Sequence, residues 1–279
     1  MATTAFARSG DGNTVNLRKL AYRYTPSFLI AKVKAIKASL EARLFRPYVA
    51  KHKYGGFEFM VNITDGVART WYDQDWEEMP EHVLLKKYKL GPGARVFDLG
   101  AHQGVTALIV SRYIGDTGTV VALEAGKHNY EIALRNLELN AAHNVNLLHA
   151  AASDRKGEVS FSEGANGRVG YGVKCPSYSV DDLADEFGTP DVVKVDVEGY
   201  ECKVLEGARK TLAAKPNWYV EVHSGLGLET YGGSPEQIVD LFRDAGYRLF
   251  IQDDLRYKSP FRPLGEIPKH WFQLVAIAG

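Results

Sequence analysis

The sequence predicts an α/β fold in which a doubly wound, mostly parallel sheet follows a smaller N-terminal cap. Two observations predict this fold. From Arg95 onward, short apolar runs that are typical of strands alternate with helical segments, which is the pattern of a parallel sheet with helices on both faces. The last two strand-like runs, residues 247–251 and 271–277, are expected to form a final antiparallel pair.

The N-terminal part of the chain is predicted to hold two pieces, a basic arm over residues 1–56 and a helical and β cap over residues 57–90 of the main domain, 57–279. The arm carries eleven Lys or Arg and two acidic residues, although the whole chain has a net charge of zero. Residues 28–45 are predicted to form a basic amphipathic helix. It could meet an anionic membrane surface, a nucleic acid, or the acidic remainder of its own chain or of a second subunit, and the last alternative is favoured.

Composition places the chain among soluble globular proteins, because 45% of its 279 residues are hydrophobic and 24% are charged. No apolar run approaches the ~20 residues that span a membrane. The N-terminus has no hydrophobic signal core, so a cytoplasmic location is expected. The two cysteines do not make a disulfide framework, and both are expected to be free thiols.

The most informative segment is a glycine turn between a strand and a helix. The apolar run 96–97 ends in Asp98, Gly100 and Gly104 bracket the turn, and Thr106 opens the helix. A helix N-terminus offers unpaired N–H groups to a ligand. The spacing differs from the G-x-G-x-x-G of dinucleotide folds, and a carboxylate at Asp98 disfavours a pyrophosphate.

A second acidic strand end narrows the choice of ligand. The apolar strand 119–123 is followed by Glu124, a position from which a carboxylate can accept hydrogen bonds from both hydroxyls of a ribose. Together, Asp98-x-Gly-x-x-x-Gly and Glu124 resemble the first two motifs of class I S-adenosylmethionine-dependent methyltransferases. This resemblance implies a Rossmann-like sheet of seven strands, closed by the antiparallel pair.

Further segments narrow the resemblance to the FkbM family of methyltransferases over about residues 57–251. They are the third strand 145–148, the run Lys-Val-Asp-Val-Glu-Gly-x-Glu over residues 194–201, and the strand 216–223. The run over 194–201 is the most specific of them. Two positions depart from the family pattern, since His102 stands where Asn is usual and Ala125 where Pro commonly follows the acidic residue.

The resemblance implies S-adenosylmethionine as cofactor. Gly100 and Gly104 would admit its methionine portion, Asp98 would anchor that portion, and Glu124 would bind the ribose. Ser153 and Asp154 fall where the family contacts adenine, although Asp154 could equally cap a turn. The predicted cofactor-binding residues are Asp98, Gly100, His102, Gly104, Thr106, Glu124, Ser153, Asp154 and Asp196.

A second group of ionisable residues follows the fourth and fifth strands of the predicted series. Burying several carboxylates together is costly unless Lys194, His223, the sulfonium or a metal compensates them. Imidazole titrates near neutrality, so His223 is the preferred general base, and Asp196 is the alternative base or the group that orients His223. His223 could instead merely cap its strand. The predicted catalytic residues are His223, Asp196 and Glu198; Mg²⁺ on Asp196, Glu221 and Glu198 is a rival that is not favoured.

The expected activity is O-methylation of a hydroxyl on a small molecule or sugar, as the resemblance implies. The loops 164–178 and 253–270 could line the acceptor pocket. One alternative is an RNA methyltransferase that uses the basic arm, but the chain lacks the Asn/Asp-Pro-Pro-Tyr/Phe signature of base N-methylation and a nucleic-acid partner is not favoured. Another is a cofactor-binding scaffold without activity. A homo-oligomer is also compatible with the sequence.

Overall fold

The computed structural model describes residues 44–162, 167–254 and 259–279. The chain divides into residues 1–46 and a compact unit over residues 47–279. Almost all of the helix predicted over 28–45 lies outside the described residues. The strands of the second unit begin at Tyr48, within the stretch that was predicted as the arm.

The second unit starts with a cap made of a hairpin and two short helices. Its elements are β1 (Tyr48–Tyr54), β2 (Phe57–Ile63), α1 (Gly66–Tyr72) and α2 (Pro80–Leu85), and β1 and β2 pair antiparallel. Phe59, Val61 and Ile63 alternate along β2 and are at most 1% exposed. This period of two buries one face of the hairpin, as the apolar pattern of the sequence requires.

The remaining strands and helices alternate along most of the chain. The strands are β3 (Arg95–Leu99), β4 (Thr119–Glu124), β5 (Val145–His149), β6 (Ala151–Ala152), β7 (Gly157–Ser162), β8 (Arg168–Val169), β9 (Val173–Tyr178), β10 (Val192–Val195), β11 (Asn217–Val222), β12 (Tyr247–Gln252), β13 (Arg262–Pro263) and β14 (Phe272–Ala278). The helices are α3 (Val105–Ile114), α4 (Lys127–Leu139), α5 (Val180–Phe187), α6 (Glu201–Glu206), α7 (Arg209–Ala213) and α8 (Pro235–Asp244), with a 3₁₀ helix at Leu228–Tyr231.

The main sheet confirms the predicted fold class. Its strand order is β13-β12-β14-β11-β10-β3-β4-β5. Strands β3, β4, β5, β10 and β11 are parallel, and β14 runs antiparallel to both β11 and β12. The eight strands are one more than the predicted seven, because the two-residue strand β13 forms at the edge within the predicted loop 253–270.

Helices cover both faces of this sheet, as a doubly wound fold requires. One core joins inward residues of the central strands, such as Phe97 and Val193, to α5, α6 and α8. The opposite core joins Val96 and Val192 to α2 and α3. Neighbouring residues of β3 and β10 therefore point to opposite cores, and both faces of these parallel strands are buried.

A second, four-stranded sheet with the order β6-β9-β7-β8 was not predicted. Strand β9 occupies much of the glycine-rich segment 164–178 that was predicted as a loop. The apolar cluster of this second sheet is small and consists of the buried residues Phe161, Cys175 and Ala151. A core this small leaves only a weak apolar periodicity in the sequence.

Two asparagines, Asn136 of α4 and Asn140 directly after it, attach the cap to the main domain. Oδ1 of Asn136 accepts the N–H of Asn62 at 2.8 Å, and Oδ1 of Asn140 accepts the N–H of Met60 at 2.9 Å. Nδ2 of Asn140 also donates to the carbonyl of Met60 at 2.8 Å. These side-chain amides satisfy backbone N–H and C=O groups of β2 that a neighbouring strand would otherwise pair with, and so they fix the cap beside α4.

Two further expectations concern membrane spans and cysteines. Across the described ranges, none of the helices combines the length and apolar character that crossing a bilayer needs. Cys175 and Cys202 are both free thiols, as expected.

Candidate active site

A cavity of about 450 Å³ opens at the carboxyl edge of the main sheet. Its wall includes Gly100 after β3, Glu124 at the end of β4, Asp196 after β10 and His223 after β11. The strand order reverses between β3 and β10, and open α/β sheets bind their ligands at such a point.

The structure brings most of the predicted site residues to this cavity. Those that line it are Gly100, His102, Thr106, Glu124, Asp196, Glu198 and His223. Those that do not line it are Asp98, Gly104, Ser153 and Asp154. The four residues outside the wall have other contacts, which explain why their residue types fit the fold.

The two glycines of the turn allow backbone elements to approach each other. Gly100 has φ +88°, and a Cβ placed on it would lie 1.8 Å from the carbonyl oxygen of Asp196. Gly104 has φ +78° and precedes α3, and its Cβ would lie 3.1 Å from Cβ of Ala133 on α4. Gly104 therefore allows α3 and α4 to pack closely, and Gly100 allows the ends of β3 and β10 to approach each other.

Glu124 is held rigidly at the cavity wall. Its Oε2 accepts the N–H of His102 at 2.8 Å, its Oε1 accepts the N–H of Gly126 at 2.8 Å, and the residue is 7% exposed. Burial raises the pKa of its carboxyl to about 7, against the opposing effect of these two N–H groups. The lone pairs not used by the backbone remain for a ligand in the cavity.

His102 connects the turn to the cap. Its backbone is left-handed, with φ +50°, a conformation that Asn and His adopt more readily than most residues. Its Nδ1 lies 2.6 Å from the hydroxyl of Tyr72 at the end of α1. Histidine can thus stand where the family usually carries asparagine, and it adds a ring contact with the cap.

Asp98 lies behind the cavity wall rather than in it. It is 1% exposed and faces Lys194 on the neighbouring strand, with Oδ1 2.9 Å from Nζ. Nζ of Lys194 also donates to the carbonyl of Gly100 at 3.1 Å and lies 3.5 Å from Oδ2 of Asp196. Burial disfavours the lysine cation, but Asp98 and Asp196 outweigh it and raise the pKa of Lys194. Asp98 therefore holds Lys194 against the turn.

Ser153 and Asp154 also lie off the cavity wall. Strand β5 ends at His149, and the chain then enters β6, so Ala150, Ala151 and Ala152 line the cavity instead. Oγ of Ser153 donates to Oδ1 of Asp154 at 3.0 Å. Because β6 follows β5 so closely, residues 150–152 line the cavity instead of the predicted 153–154. No sequence pattern predicted this two-residue strand.

The second group of ionisable residues converges on His223. Its Nδ1 lies 2.8 Å from Oε1 of Glu201, which also accepts the N–H of Gly199 at 2.9 Å. Its Nε2 faces the cavity, 3.7 Å from Oε2 of Glu198 and 4.0 Å from Oδ1 of Asp196. Glu201 is completely buried and fixes the orientation of the imidazole ring. The predicted catalytic trio is therefore brought together.

An imidazole that titrates near neutrality is expected from the sequence, but the neighbours of His223 shift its pKa and those of the carboxyls beside it. Burial alone would favour neutral imidazole, but Glu201, Asp196 and Glu221 raise the pKa of His223 to about 9. Burial and the charge of Asp196 raise the pKa of Glu221 well above its ordinary value. Lys194 and His223 outweigh burial and lower the pKa of Asp196. The group thus favours a charged imidazole at His223 and an ionised carboxylate at Asp196, and it disfavours a second carboxylate charge at Glu221.

Asp196, Glu221 and His223 are also the group with the geometry for a metal ion within the described residues. One candidate ligand atom from each lies within 4.8 Å of the others. The group differs from the predicted magnesium set, since His223 takes the place of Glu198. Mg²⁺ prefers an all-oxygen set, so a nitrogen donor makes this trio a poor match for it.

Several wall residues were not singled out from the sequence. The cap contributes Trp71, Tyr72, Trp76 and Glu81, and β11 and the final strand region contribute Tyr219, Trp271 and Gln273. Trp271 is buried and Trp71 is 50% exposed. The cap residues reach the cavity because the cap is attached to α4 and to the glycine turn, and no local sequence pattern reveals these contacts.

Comparison with known proteins gives the family. The model of the "Methyltransferase FkbM domain" matches residues 98–249. The chain belongs to the FkbM methyltransferase family. The matched range contains Gly100, Glu124, Asp196 and His223 at the strand ends, whereas the cavity residues of the cap and of the final strand region lie outside it.

Three proteins illustrate what this FkbM-family chain is similar to. A hexuronic acid methyltransferase, AglP, of Haloferax volcanii is 28% identical over 159 residues, which are 54% of this chain and 62% of AglP. This chain thus spans about three fifths of that relative. The structure is similar to a precorrin-6y C5,15-methyltransferase from Geobacter metallireducens, with a TM-score of 0.44, 18% identity and coverage of 71% and 86% of the two chains. It is also similar to an O-methyltransferase from Thermotoga maritima, with a TM-score of 0.46, 11% identity and coverage of 83% and 78%.

Proposed function

We propose that this FkbM-family protein is an S-adenosylmethionine-dependent O-methyltransferase that acts on a hydroxyl of a sugar or small molecule. One observation carries the proposal. The cavity joins a fixed carboxylate at the end of β4 to an imidazole and a carboxylate beyond β10 and β11. The carboxylate at the end of β4 fits the ribose of a nucleoside. The imidazole and carboxylate beyond β10 and β11 fit an acceptor hydroxyl that must lose a proton.

The order of groups along the sheet edge matches the parts of the cofactor. Ala150–Ala152 and Phe161 form an apolar wall beyond β5 that fits an adenine. Glu124, held by two backbone N–H groups, would accept the ribose hydroxyls. Gly100 and Thr106 lie next along the edge, where the methionine portion would extend. The bound cofactor supplies an activated methyl group on a sulfonium centre.

The residues beyond β10 and β11 would handle the proton of the acceptor. An acceptor hydroxyl loses its proton as the oxygen takes the methyl group, and a positioned base assists this step. Nε2 of His223 faces the cavity and can take that proton once the imidazole is neutral. A nearby sulfonium cation disfavours imidazolium, so cofactor binding lowers the pKa of His223 towards the working pH. Asp196 and Glu198, whose carboxylate oxygens lie 4.0 and 3.7 Å from Nε2 of His223, would orient the acceptor hydroxyl towards the imidazole.

A carbohydrate acceptor is supported by the wall opposite the cofactor position. Trp71, Trp76 and Trp271 present indole rings to the cavity. Such rings offer broad apolar faces with a polar edge, which suit the apolar faces and hydroxyl rims of sugars. The relative AglP is itself a hexuronic acid methyltransferase, which agrees with this choice. Its acidic substrate need not be the substrate of this chain.

A methyl-transfer screen tests the proposed function. The protein is incubated with methyl-labelled S-adenosylmethionine and separate panels of sugars, phenols, polyketides and RNA. Transfer to a hydroxyl of a sugar or small molecule is the expected result. Transfer to RNA that disappears on removal of residues 1–46 would favour the RNA alternative, and cofactor binding without transfer to any panel would favour a scaffold.

Glu124→Ala is expected to weaken binding of S-adenosylmethionine by about 1–3 kcal/mol, because a charged acceptor for the ribose hydroxyls is lost. Isothermal titration calorimetry measures the difference. Glu131→Ala, an exposed carboxylate on α4 outside the cavity wall, is the matched control and should bind like the wild type. Unchanged affinity in Glu124→Ala, or tighter binding of NAD than of S-adenosylmethionine, contradicts the cofactor assignment.

Methyl transfer is expected to persist in EDTA. Lys194 and His223 lie beside Asp196, burial and the charge of Asp196 raise the pKa of Glu221, and the nitrogen donor of His223 makes the trio a poor match for Mg²⁺. The measurement compares initial rates of EDTA-treated protein with and without added Mg²⁺. Loss of the rate in EDTA with recovery on Mg²⁺ addition would instead support a metal on Asp196, Glu221 and His223.

A further inference from the structure

Glu81 is a buried carboxylate in the cavity wall that has no role in the proposed methyl transfer. It lies in the first turn of α2 in the cap and is 4% exposed. It lines the main cavity, and it also borders a small neighbouring cavity beside Asp98, Thr106 and Lys194. It is thus placed where the cap meets the back of the glycine turn.

The other buried carboxylates around the cavity have strong partners. Two backbone N–H groups hold Glu124, Lys194 holds Asp98, and His223 with the N–H of Gly199 holds Glu201. The carboxylate of Glu81 accepts its own backbone N–H and is attracted by the charge of Lys194, but within the described ranges it forms no ion pair or hydrogen bond with another residue. Burial therefore raises the pKa of this group to about 7.

A buried carboxyl without an ion-pair partner is costly to ionise, and a cation bound beside it would offset that free-energy cost. The place of Glu81 along the sheet edge indicates which part of the cofactor would supply that cation. With the adenine beyond β5 and the ribose at β4, the methionine chain extends over β3. Its α-ammonium group would then lie near Thr106, which borders the same small cavity as Glu81. Asp98, the residue expected from the sequence to anchor this portion, is engaged by Lys194.

We propose that Glu81 of the cap binds the α-ammonium group of the cofactor's amino acid portion. The inference rests on the proposed function, since it assumes S-adenosylmethionine in this cavity. It gives the cap a direct part in cofactor binding. Because Tyr72 of the cap also contacts His102 in the turn, the cap then meets the cofactor site at two points.

Two ligands separate this role from a structural one. S-adenosylhomocysteine has the α-ammonium group, and 5′-methylthioadenosine has the nucleoside and thioether without the amino acid portion. Glu81→Gln should weaken S-adenosylhomocysteine about 10- to 100-fold, the range for a lost hydrogen bond to a charged group, and leave 5′-methylthioadenosine unchanged. Glu77→Gln, an exposed charge change four residues earlier in the chain, should change neither affinity. Calorimetry measures all of these affinities.

The outcomes distinguish the two proposals. If Glu81→Gln binds both ligands more weakly by the same factor, or binds S-adenosylhomocysteine with full affinity, the role of Glu81 is overturned. Binding of S-adenosylhomocysteine by the wild type would still support the cofactor assignment. A wild-type protein that binds neither ligand overturns the proposed function and the role of Glu81 together. If Glu81→Gln does not fold, Glu81→Asp keeps the charge on a shorter side chain, and the same selective loss for S-adenosylhomocysteine is expected.

Discussion

Replacing His223 with alanine is expected to lower the methyl-transfer rate by ~10²–10⁴-fold, the usual effect of removing a general base. Cofactor affinity should stay close to that of the wild type, because His223 lies beyond β11 and Glu124 lies at the end of β4. Single-turnover rates with the acceptor found in the screen measure the first quantity, and calorimetry with S-adenosylhomocysteine measures the second. Asp196→Asn should also lose rate, since it removes the charge 4.0 Å from Nε2 of His223.

The pH dependence gives a second readout of the same base. Only neutral His223 can accept a proton, and in the free protein its pKa is raised to about 9 by Glu201, Asp196 and Glu221 against the effect of burial. The value of kcat/KM should therefore rise with pH and level off above about 9. The profile of kcat should level off at lower pH, because the bound sulfonium lowers the pKa of His223 in the complex.

His143→Ala is the control for the histidine substitution. His143 follows α4 and does not line the cavity, so its loss should leave rate and pH profile unchanged. Full turnover in both His223→Ala and Asp196→Asn would contradict the assignment. Catalysis would then depend on proximity of the two substrates, or on residues outside the described ranges.

Gly100→Ala is expected to destabilise the protein by about 2–5 kcal/mol, the sum of a left-handed alanine and an overpacked contact. The new Cβ would lie 1.8 Å from the carbonyl oxygen of Asp196, and φ +88° is itself unfavourable for alanine. Since backbone rather than a flexible side chain blocks the space, relief requires the ends of β3 and β10 to separate. Urea unfolding measures the loss, and cofactor affinity should fall with it.

Gly66→Ala is the matched control for this substitution. Gly66 begins α1, is exposed and has open space around its Cβ position, so alanine there should leave the free energy of unfolding within about 0.5 kcal/mol. Wild-type stability in Gly100→Ala would show that β3 and β10 do not approach each other as closely as described.

The candidate site was predictable where residues follow strands of the parallel sheet directly. Gly100, Glu124, Asp196 and His223 each stand at or just after a strand end, and the carboxyl ends of parallel strands meet at one edge. Ser153 and Asp154 lie beyond such an end. The two-residue strand β6 intervenes after β5, and the alanines before them form the wall instead.

The sequence by itself determined the alternation of strands and helices, the doubly wound sheet, its antiparallel closure and the strand-end residues of the cavity. It could do so because those features depend on local apolar periodicity and on short turns. Only the tertiary structure decided that Asp98 faces Lys194, that Glu201 holds His223 and that Glu81 and Tyr72 of the cap reach the cavity. These pairs join residues distant in the chain, and their charge states follow from burial and neighbouring groups that no local pattern encodes.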